Sequence, residues 1–210
     1  MGKGRVEAFS DGVIAIIITI MVLELRVPHG DTLEVLAPLW PVFLSYILSF
    51  AYIGIYWNNH HHMLHAVKHV SGPVLWANLH LLFWLSLTPF TTAWMGENHF
   101  APTPVAVYGL GLLMNAVAYS ILVRTLIRTH GRDSDFAARI GGDIKGYISL
   151  AIYIMAVGLS FVNSWISLAL FFAVAMMWFI PDRRSNFATR DAVGFPNSSA
   201  ARHILATRCP

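Results

Sequence analysis

Six long apolar stretches constrain the fold of this chain more than any other feature of its sequence. They cover residues 9–27, 36–56, 74–95, 105–127, 147–161 and 165–180. A helical bilayer crossing takes about 20 apolar residues, and most of the stretches approach that length. Charged residues make up only 12% of the sequence, about half the fraction that a soluble domain carries. The sequence therefore predicts an all-α membrane protein with six transmembrane helices.

The placement of basic residues predicts the orientation of these helices. If the N-terminus is cytoplasmic, Arg26 alone of the 14 lysines and arginines falls on the outer side. Loops on the cytoplasmic side of membrane proteins are enriched in such residues, so both termini are predicted to be cytoplasmic. We expect residues 1–181 to form one six-helix transmembrane unit and residues 182–210, which are polar, to form a cytoplasmic tail.

Composition also excludes several classes of function. The single cysteine, Cys209, rules out an intramolecular disulfide and a cysteine metal cage. The membrane orientation accounts for the excess of basic residues, so no nucleic-acid partner is expected. The sequence has no glycine-rich phosphate loop and no segment long enough for a soluble catalytic domain. We therefore predict neither an enzyme nor a bound cofactor.

Polar residues stand at the start of the first apolar stretch. Arg5, Ser10 and Asp11 come directly before an unbroken apolar run. An ionisable group in hydrocarbon costs about 2.5–3.5 kcal/mol even on the insertion scale, which suggests a specific role. One interpretation places these residues at the membrane interface, with Asp11 near the positive end of the helix dipole. The other, which we favour, is a buried polar network that holds the first helix against its neighbours.

A second polar group follows the second stretch and is rich in histidine. It comprises Trp57, Asn58, Asn59, His60, His61, His62, His65 and His69. Helical spacing predicts His61, His65 and His69 on one face, where they could bind a metal, sense protons or simply make hydrogen bonds. No acid or cysteine lies nearby in sequence, so no metal site is predicted. Asn78 and His80, early in the third stretch, are available partners for these buried polar groups.

The first stretch carries one hydroxyl in its middle, Thr19. Ile16, Ile20 and Leu23 follow helical spacing and share a face with each other. Because the whole stretch is apolar, its periodicity does not distinguish lipid, protein or water as the neighbour of that face. Packing against protein is the interpretation that the residues alone favour.

Three motifs resemble those of the transmembrane protein 175 family of potassium channels. They are Arg5-x-x-x-Phe9-Ser10-Asp11-Gly12-Val13 with Ile18-Thr19 and Val22-Leu23-Glu24-Leu25, then Trp57-x-x-His60-His61, and then Asn78-Leu79 with Leu87-Thr88-Pro89-Phe90. The resemblance is specific over the first three helices and weak over the others. A single six-helix unit is similar to the prokaryotic members, which implies a homotetramer in the prokaryotic plasma membrane.

The resemblance implies roles for individual residues. The first helix would line a central pore, with the constriction at Ile16 and further pore positions at Thr19, Ile20 and Leu23. The corresponding polar network would consist of Arg5, Phe9, Ser10, Asp11, His60 and Asn78. The implied function is passive, selective transport of K⁺ across the lipid bilayer by a homotetramer. The alternative is a proton-coupled or metal-ion transporter that uses Asp11 and the histidines between His60 and His69.

Overall fold

The computed structural model describes residues 2–67, 69–131 and 144–180. Within these ranges the chain forms seven α-helices and one 3₁₀-helix, and no β-strand. The helices are α1 (Lys3–Leu23), α2 (Trp40–His65), α3 (Gly72–Ser86), α4 (Thr88–Glu97), α5 (Pro102–His130), α6 (Ile144–Leu159) and α7 (Ser164–Phe179), and the 3₁₀-helix Leu33–Leu39 leads into α2. The predicted all-α class is confirmed.

Four helical segments are long and apolar enough to cross a membrane, judged by length and composition. They are Lys3–Leu23, Leu33–His65, Gly72–Glu97 and Pro102–His130. The apolar helices α6 and α7 have 16 residues each. That number gives a length of about 24 Å, against a hydrocarbon core of about 30 Å. The prediction of six crossings with both termini cytoplasmic therefore stays a prediction.

The third apolar stretch is predicted as one helix and folds as two. α3 ends at Ser86, and α4 begins at Thr88. Pro89 is the second residue of α4, so it has no N–H to donate to the carbonyl of Leu85, and its ring crowds that carbonyl. The two helices together still have the length of one membrane crossing.

The second helix is longer than its apolar stretch predicts. α2 continues past residue 56 and ends at His65, so His60, His61 and His62 lie within the helix. His69 lies beyond its end, where its ring packs 4.6 Å from that of His130 between centroids. The prediction that His69 shares a helical face with His61 and His65 is therefore wrong, because α2 ends at His65.

Two apolar clusters form the interior of the helical unit. The first joins α1, α2, α3 and α5 and contains Ile14, Ile17, Met21, Ile53, Met63, Val67, Val74, Ala77, Leu81, Leu82, Leu85, Ala118, Leu122, Val123 and Leu126. The second joins α2 and α4 to α5, α6 and α7 through residues such as Tyr52, Met95, Tyr108 and Phe171. α2 and α5 contribute to both clusters and so connect the two halves of the bundle.

Hydrogen bonds between helices fix the relative orientation of the packed helices. The hydroxyl of Tyr52 on α2 donates to the carbonyl of Phe171 on α7 at 2.6 Å. The hydroxyl of Thr92 on α4 donates to Oγ of Ser49 on α2 at 2.7 Å. Between apolar helices such bonds fix the relative rotation, because lipid supplies no alternative partner for a hydroxyl.

The structure describes only part of the chain over which the predicted division runs. The described residues up to Phe179 form one compact unit. The predicted tail, residues 182–210, lies outside the described residues. The division into a transmembrane unit and a cytoplasmic tail stays a prediction.

The close approach of α4 to α2 at Gly96 gives a test of the fold. A Cβ at Gly96 would lie 2.9 Å from Cα of Val42, which is backbone and cannot rotate away. We expect Gly96→Ala to lower the free energy of unfolding by about 1–3 kcal/mol through overpacking. Gly54→Ala is the matched control, since a Cβ there meets nothing within 4 Å. Thermal unfolding of the detergent-solubilised protein measures both, and equal stability of the two variants would contradict this packing.

Candidate functional site

The first helix has one face packed against the protein. Its buried residues are Val6, Ser10, Ile14, Ile17 and Met21, which follow helical spacing. This face contacts α2, α3 and α4. The opposite face of α1 is exposed, and it carries the positions that the family resemblance assigns to a pore.

Three buried side chains connect the packed face of α1 to α2 and α3. The amide of Asn78 donates from Nδ2 to Oγ of Ser10 at 2.9 Å. Nε2 of His60 lies 2.7 Å from Oδ1 of Asn78. Because that amide oxygen only accepts, Nε2 of His60 carries the hydrogen. The Ser10 hydroxyl in turn donates to the carbonyl of Val6 at 2.8 Å. We refer to Ser10, His60 and Asn78 as the buried polar cluster.

Asp11, the residue after Ser10 in α1, makes a separate contact with α2. Its Oδ1 accepts a hydrogen bond from Nε1 of Trp57 on α2 at 3.0 Å. The carboxylate is half-buried, whereas every member of the buried polar cluster is buried. Asp11 therefore links α1 to α2 through Trp57, next to the buried polar cluster but not as a member of it.

Two residues predicted to belong to the network lie apart from it. Arg5 is exposed, and Phe9 is 54% exposed. In the part of the chain that the structure describes, no hydrogen bond or ion pair joins Arg5 to Ser10 or Asp11. A single chain thus brings together Ser10, His60 and Asn78, holds Asp11 through Trp57, and leaves Arg5 and Phe9 on the uncovered side of α1.

The uncovered face of α1 is apolar along most of its length. Ile16 is 59% exposed, Ile20 40% and Leu23 75%. Thr19 is also exposed, and its hydroxyl donates to the carbonyl of Ala15 at 2.9 Å. We refer to Ile16, Thr19, Ile20 and Leu23 as the exposed stripe. The residues alone favour packing against protein for this face, whereas in a single chain the four side chains of the stripe are exposed.

The structure adds one residue to the histidine group that sequence reasoning missed. Glu7 on α1 lies beside His61 and His65 on α2. The signal was available in the spacing: Glu7 precedes Asp11 by one helical turn, and His61 follows Trp57 by one turn. In antiparallel helices that join Asp11 to Trp57, the next turn brings Glu7 to His61. His80 contacts neither group, and its Nε2 accepts from Nε1 of Trp84 at 3.0 Å.

The fold and this site define the class of the protein. It is a multi-pass helical membrane protein, with membrane-length apolar helices and a first helix fixed by a buried polar cluster. Residues 5–89 match the model of the family described as Endosomal/lysosomal potassium channel TMEM175. This range includes the buried polar cluster, Asp11, Trp57 and the exposed stripe.

Sequence relatives extend the match over most of the chain. The chain is 55% identical over 184 residues to a protein named Potassium channel HX13_20290 from a Chryseobacterium species. This alignment covers 88% of this chain and 96% of the relative. It is 35% identical over 178 residues to Potassium channel B446_29190 from Streptomyces collinus, covering 80% and 86%. Animal relatives named Endosomal/lysosomal proton channel TMEM175 are more distant: the bovine protein is 28% identical, and the match covers 41% of its length.

A solved structure has the same fold. The crystal structure of a lysosomal potassium-selective channel TMEM175 homolog from Chamaesiphon minutus aligns with a TM-score of 0.72 and 31% identity, covering 84% of this chain and 95% of that one. The chain belongs to the TMEM175 family. This confirms the resemblance seen in the sequence, and the family is one of ion channels and not of enzymes.

The buried polar cluster yields a stability prediction. Asn78→Ala removes the partner of both Ser10 and His60 and leaves their polar atoms buried. We expect a loss of about 1–3 kcal/mol in the free energy of unfolding, since an unsatisfied buried group costs that much. Asn58→Ala is the matched control, because Asn58 is exposed on α2. Chemical unfolding of the detergent-solubilised protein measures the difference, and a loss no larger than that of the control would show that the cluster does not stabilise the fold.

Proposed function

We propose that the protein is a potassium-selective cation channel of the prokaryotic plasma membrane, built as a homotetramer with α1 around a central pore. The observation that carries the proposal is the exposed stripe on α1, a largely apolar helix face that a single chain leaves exposed. Membership of the TMEM175 family and the names of the bacterial relatives, which are potassium channels, support the ion and the mode of transport.

A pore of this kind requires several copies of the chain. One helix per subunit does not enclose a water-filled path, whereas copies related by a rotation axis do, and closed rotational symmetry is the rule for homo-oligomers. In a fourfold arrangement the exposed stripes of four α1 helices face the axis. Arg5 and Phe9 lie on the uncovered side of α1 and are available to contact a neighbouring subunit.

We place the constriction at Ile16. A ring of isoleucine side chains offers no ligand to a dehydrated cation, and a narrow apolar ring also excludes water. Removing the hydration shell of an ion in a low dielectric costs tens of kcal/mol in the Born limit, so a narrow ring blocks flow. Conduction therefore requires the ring to widen until the ion passes with water. Ile20 and Leu23 form further apolar rings, and the oxygen of Thr19 accepts hydrogen bonds from the water that accompanies the ion.

The type of selectivity follows from this lining. The sequence lacks the potassium-filter segment Thr-Val-Gly-Tyr-Gly, so a backbone carbonyl cage of that type does not select the ion. A hydrophobic constriction discriminates through the free energy needed to strip or distort the hydration shell. Na⁺ holds its water more tightly than K⁺, and we expect a moderate preference for K⁺.

A polar substitution at Ile16 tests the constriction. Ile16→Asn should let water into the ring and weaken the preference for K⁺ over Na⁺, which shifts the reversal potential measured in planar bilayers under a potassium–sodium gradient. Ile154→Asn is the matched control, because Ile154 on α6 is 61% exposed and Ile16 59%. If the reversal potential of Ile16→Asn equals that of the control, Ile16 is not the selectivity ring.

The polar contacts of α1 have a different role in this proposal, which is to support assembly. The bond from Trp57 to Asp11 and the buried polar cluster hold the packed face of α1 against α2 and α3. They thereby set the rotation at which α1 presents its stripe to the axis. Ser10, Asp11, His60 and Asn78 are thus structural residues within one subunit. Arg5 and Phe9 take a structural role by contact with a neighbouring subunit, and the exposed stripe is the conducting surface.

Removal of the Asp11 carboxylate tests that role. Asp11→Ala leaves Nε1 of Trp57 without its acceptor and loosens α1 on α2. We expect less assembled tetramer, measured by light scattering on the gel-filtered protein, and not merely an altered conductance. Asp31→Ala in the loop after α1 is the control, since Asp31 is exposed. A normal tetramer with altered conductance would contradict a structural role for Asp11.

A transporter that uses Asp11 and the histidines is the weaker candidate. The animal relatives are named proton channels, which favours proton movement in the wider family. In this chain His60 is bonded to Asn78, and Asp11 is bonded to Trp57. Single-channel recording separates the two functions, because a channel gives unitary current steps and a transporter gives saturable, coupled flux.

A further inference from the structure

Three side chains that the proposed function does not use meet at one end of α1 and α2. Glu7 lies in the second turn of α1, and His61 and His65 lie one turn apart in the last turns of α2. One carboxylate oxygen of Glu7 and one nitrogen of each histidine all lie within 4.8 Å of one another. We refer to these three residues as the glutamate–histidine cluster.

The distances within the cluster are close to those of a metal site. Oε1 of Glu7 lies 3.1 Å from Nε2 of His65 and 3.6 Å from Nδ1 of His61. Zinc holds nitrogen and oxygen ligands at 2.0–2.2 Å in a tetrahedron, which places neighbouring ligand atoms about 3.3 Å apart. The three donors therefore need only small side-chain adjustments to share one ion.

One donor of the cluster lacks a hydrogen bond. The Nδ1 atom of His61 is buried, and no hydrogen-bond partner for it exists among the described residues. Its ring is held in place by stacking on Trp57 at 5.6 Å between centroids and by the edge of His65 at 4.3 Å. A buried polar atom without a partner carries a free-energy cost, and a cation bound between Nδ1 and Glu7 removes that cost.

The cluster is also open to solvent on one side. The side chain of His65 is 59% exposed, whereas that of Glu7 is 18% exposed. An ion has a path to the donors, and water completes the coordination as it does in sites with three protein ligands. The Nζ of Lys3 donates to the backbone carbonyl of His65 at 3.0 Å, which holds the first turn of α1 at the same place.

The donor set selects a class of ion. Two imidazoles and one carboxylate form the ligand set of zinc sites that keep one open position, and two histidines one helical turn apart are a recurrent zinc-binding arrangement. Mg²⁺ and Ca²⁺ prefer all-oxygen ligands and are poorly matched to two imidazole nitrogens. The chemistry therefore favours a divalent transition metal over the hard divalent cations.

We propose that Glu7, His61 and His65 form a binding site for a divalent transition-metal ion of the Zn²⁺ class, which fastens the start of α1 to the end of α2. Glu7 lies one turn before Asp11, and His61 lies one turn after Trp57, so the ion adds a second link beside the bond between Asp11 and Trp57. The site acts on the helix that carries the exposed stripe. Its effect on ion flow rests on the proposed channel function, whereas binding does not.

Direct binding to the full-length protein tests the site. The protein is purified in detergent, stripped with a chelator and titrated with ZnCl₂ by calorimetry, with equilibrium dialysis and metal analysis as a second measurement. We expect one ion per chain at this site. Glu7→Gln, His61→Gln and His65→Gln should each weaken binding at least about 10-fold, since loss of even an outer contact of a metal site costs 10–100-fold. MgCl₂ and CaCl₂ should not compete.

A neighbouring histidine supplies the matched control. His62 lies between the two histidine ligands in sequence, is exposed, and is not one of the three donors. His62→Gln should bind Zn²⁺ as the unmodified chain does. His65→Gln is the variant least affected by folding defects, because that side chain is more than half exposed. Equal binding by His65→Gln and His62→Gln, or no binding by the unmodified chain, would overturn the proposal.

A spectroscopic measurement and a current measurement complete the test. Co²⁺ in place of Zn²⁺ should give the visible absorption of a tetrahedral site in the unmodified chain, and His65→Gln should lose this absorption. If the absorption survives in His65→Gln, the metal binds elsewhere and the proposed site is wrong. In bilayers, Zn²⁺ should change potassium currents of the unmodified chain and of His62→Gln but not of His65→Gln. Binding without any potassium current contradicts the channel function and leaves the metal site standing.

Discussion

The fixed rotation of α1 is the constraint on which the rest of the site depends, and a small set of buried hydrogen bonds imposes it. Between apolar helices, packing alone tolerates several rotations, because one aliphatic face resembles another. Ser10, Asn78 and His60 tolerate only one, since any other rotation leaves polar atoms in an apolar interior at a cost of about 1–3 kcal/mol each. The bond between Asp11 and Trp57 adds a second contact in the same orientation.

Once α1 is fixed in this way, its two faces serve different purposes. The packed face completes the first apolar cluster with α2, α3 and α5. The other face is left with Ile16, Ile20 and Leu23 uncovered by the chain itself. In the proposed tetramer that face surrounds the pore, so the polar residues position the helix and the apolar residues meet the ion. In that tetramer, any group that ties the start of α1 to the end of α2, such as Glu7 with the α2 histidines, acts on the pore through the same helix.

Much of the fold was predictable because apolar length is a direct physical requirement of a membrane. The stretches that became α1, α2 and α5 are evident in the sequence, and so are those that became α6 and α7. The division at Leu87 was also encoded, since Pro89 cannot continue a helical hydrogen-bond ladder, although the apolar pattern runs through it. The extension of α2 to His65 agrees with the helical spacing predicted for the histidines, whereas hydropathy did not show it, because hydropathy falls where the histidines begin.

The sequence by itself determined that the chain is an all-helical membrane protein of the TMEM175 family, and it determined which polar residues needed partners. These properties depend on composition, apolar length and local motifs, all of which involve residues that are close together in the sequence. Only the tertiary structure decided which partners they found: Asn78 for Ser10, Trp57 for Asp11, and Glu7 for the α2 histidines. It also decided that Ile16 points away from the protein. A uniformly apolar helix has no periodicity to mark its faces, so its orientation depends on contacts with residues distant in sequence.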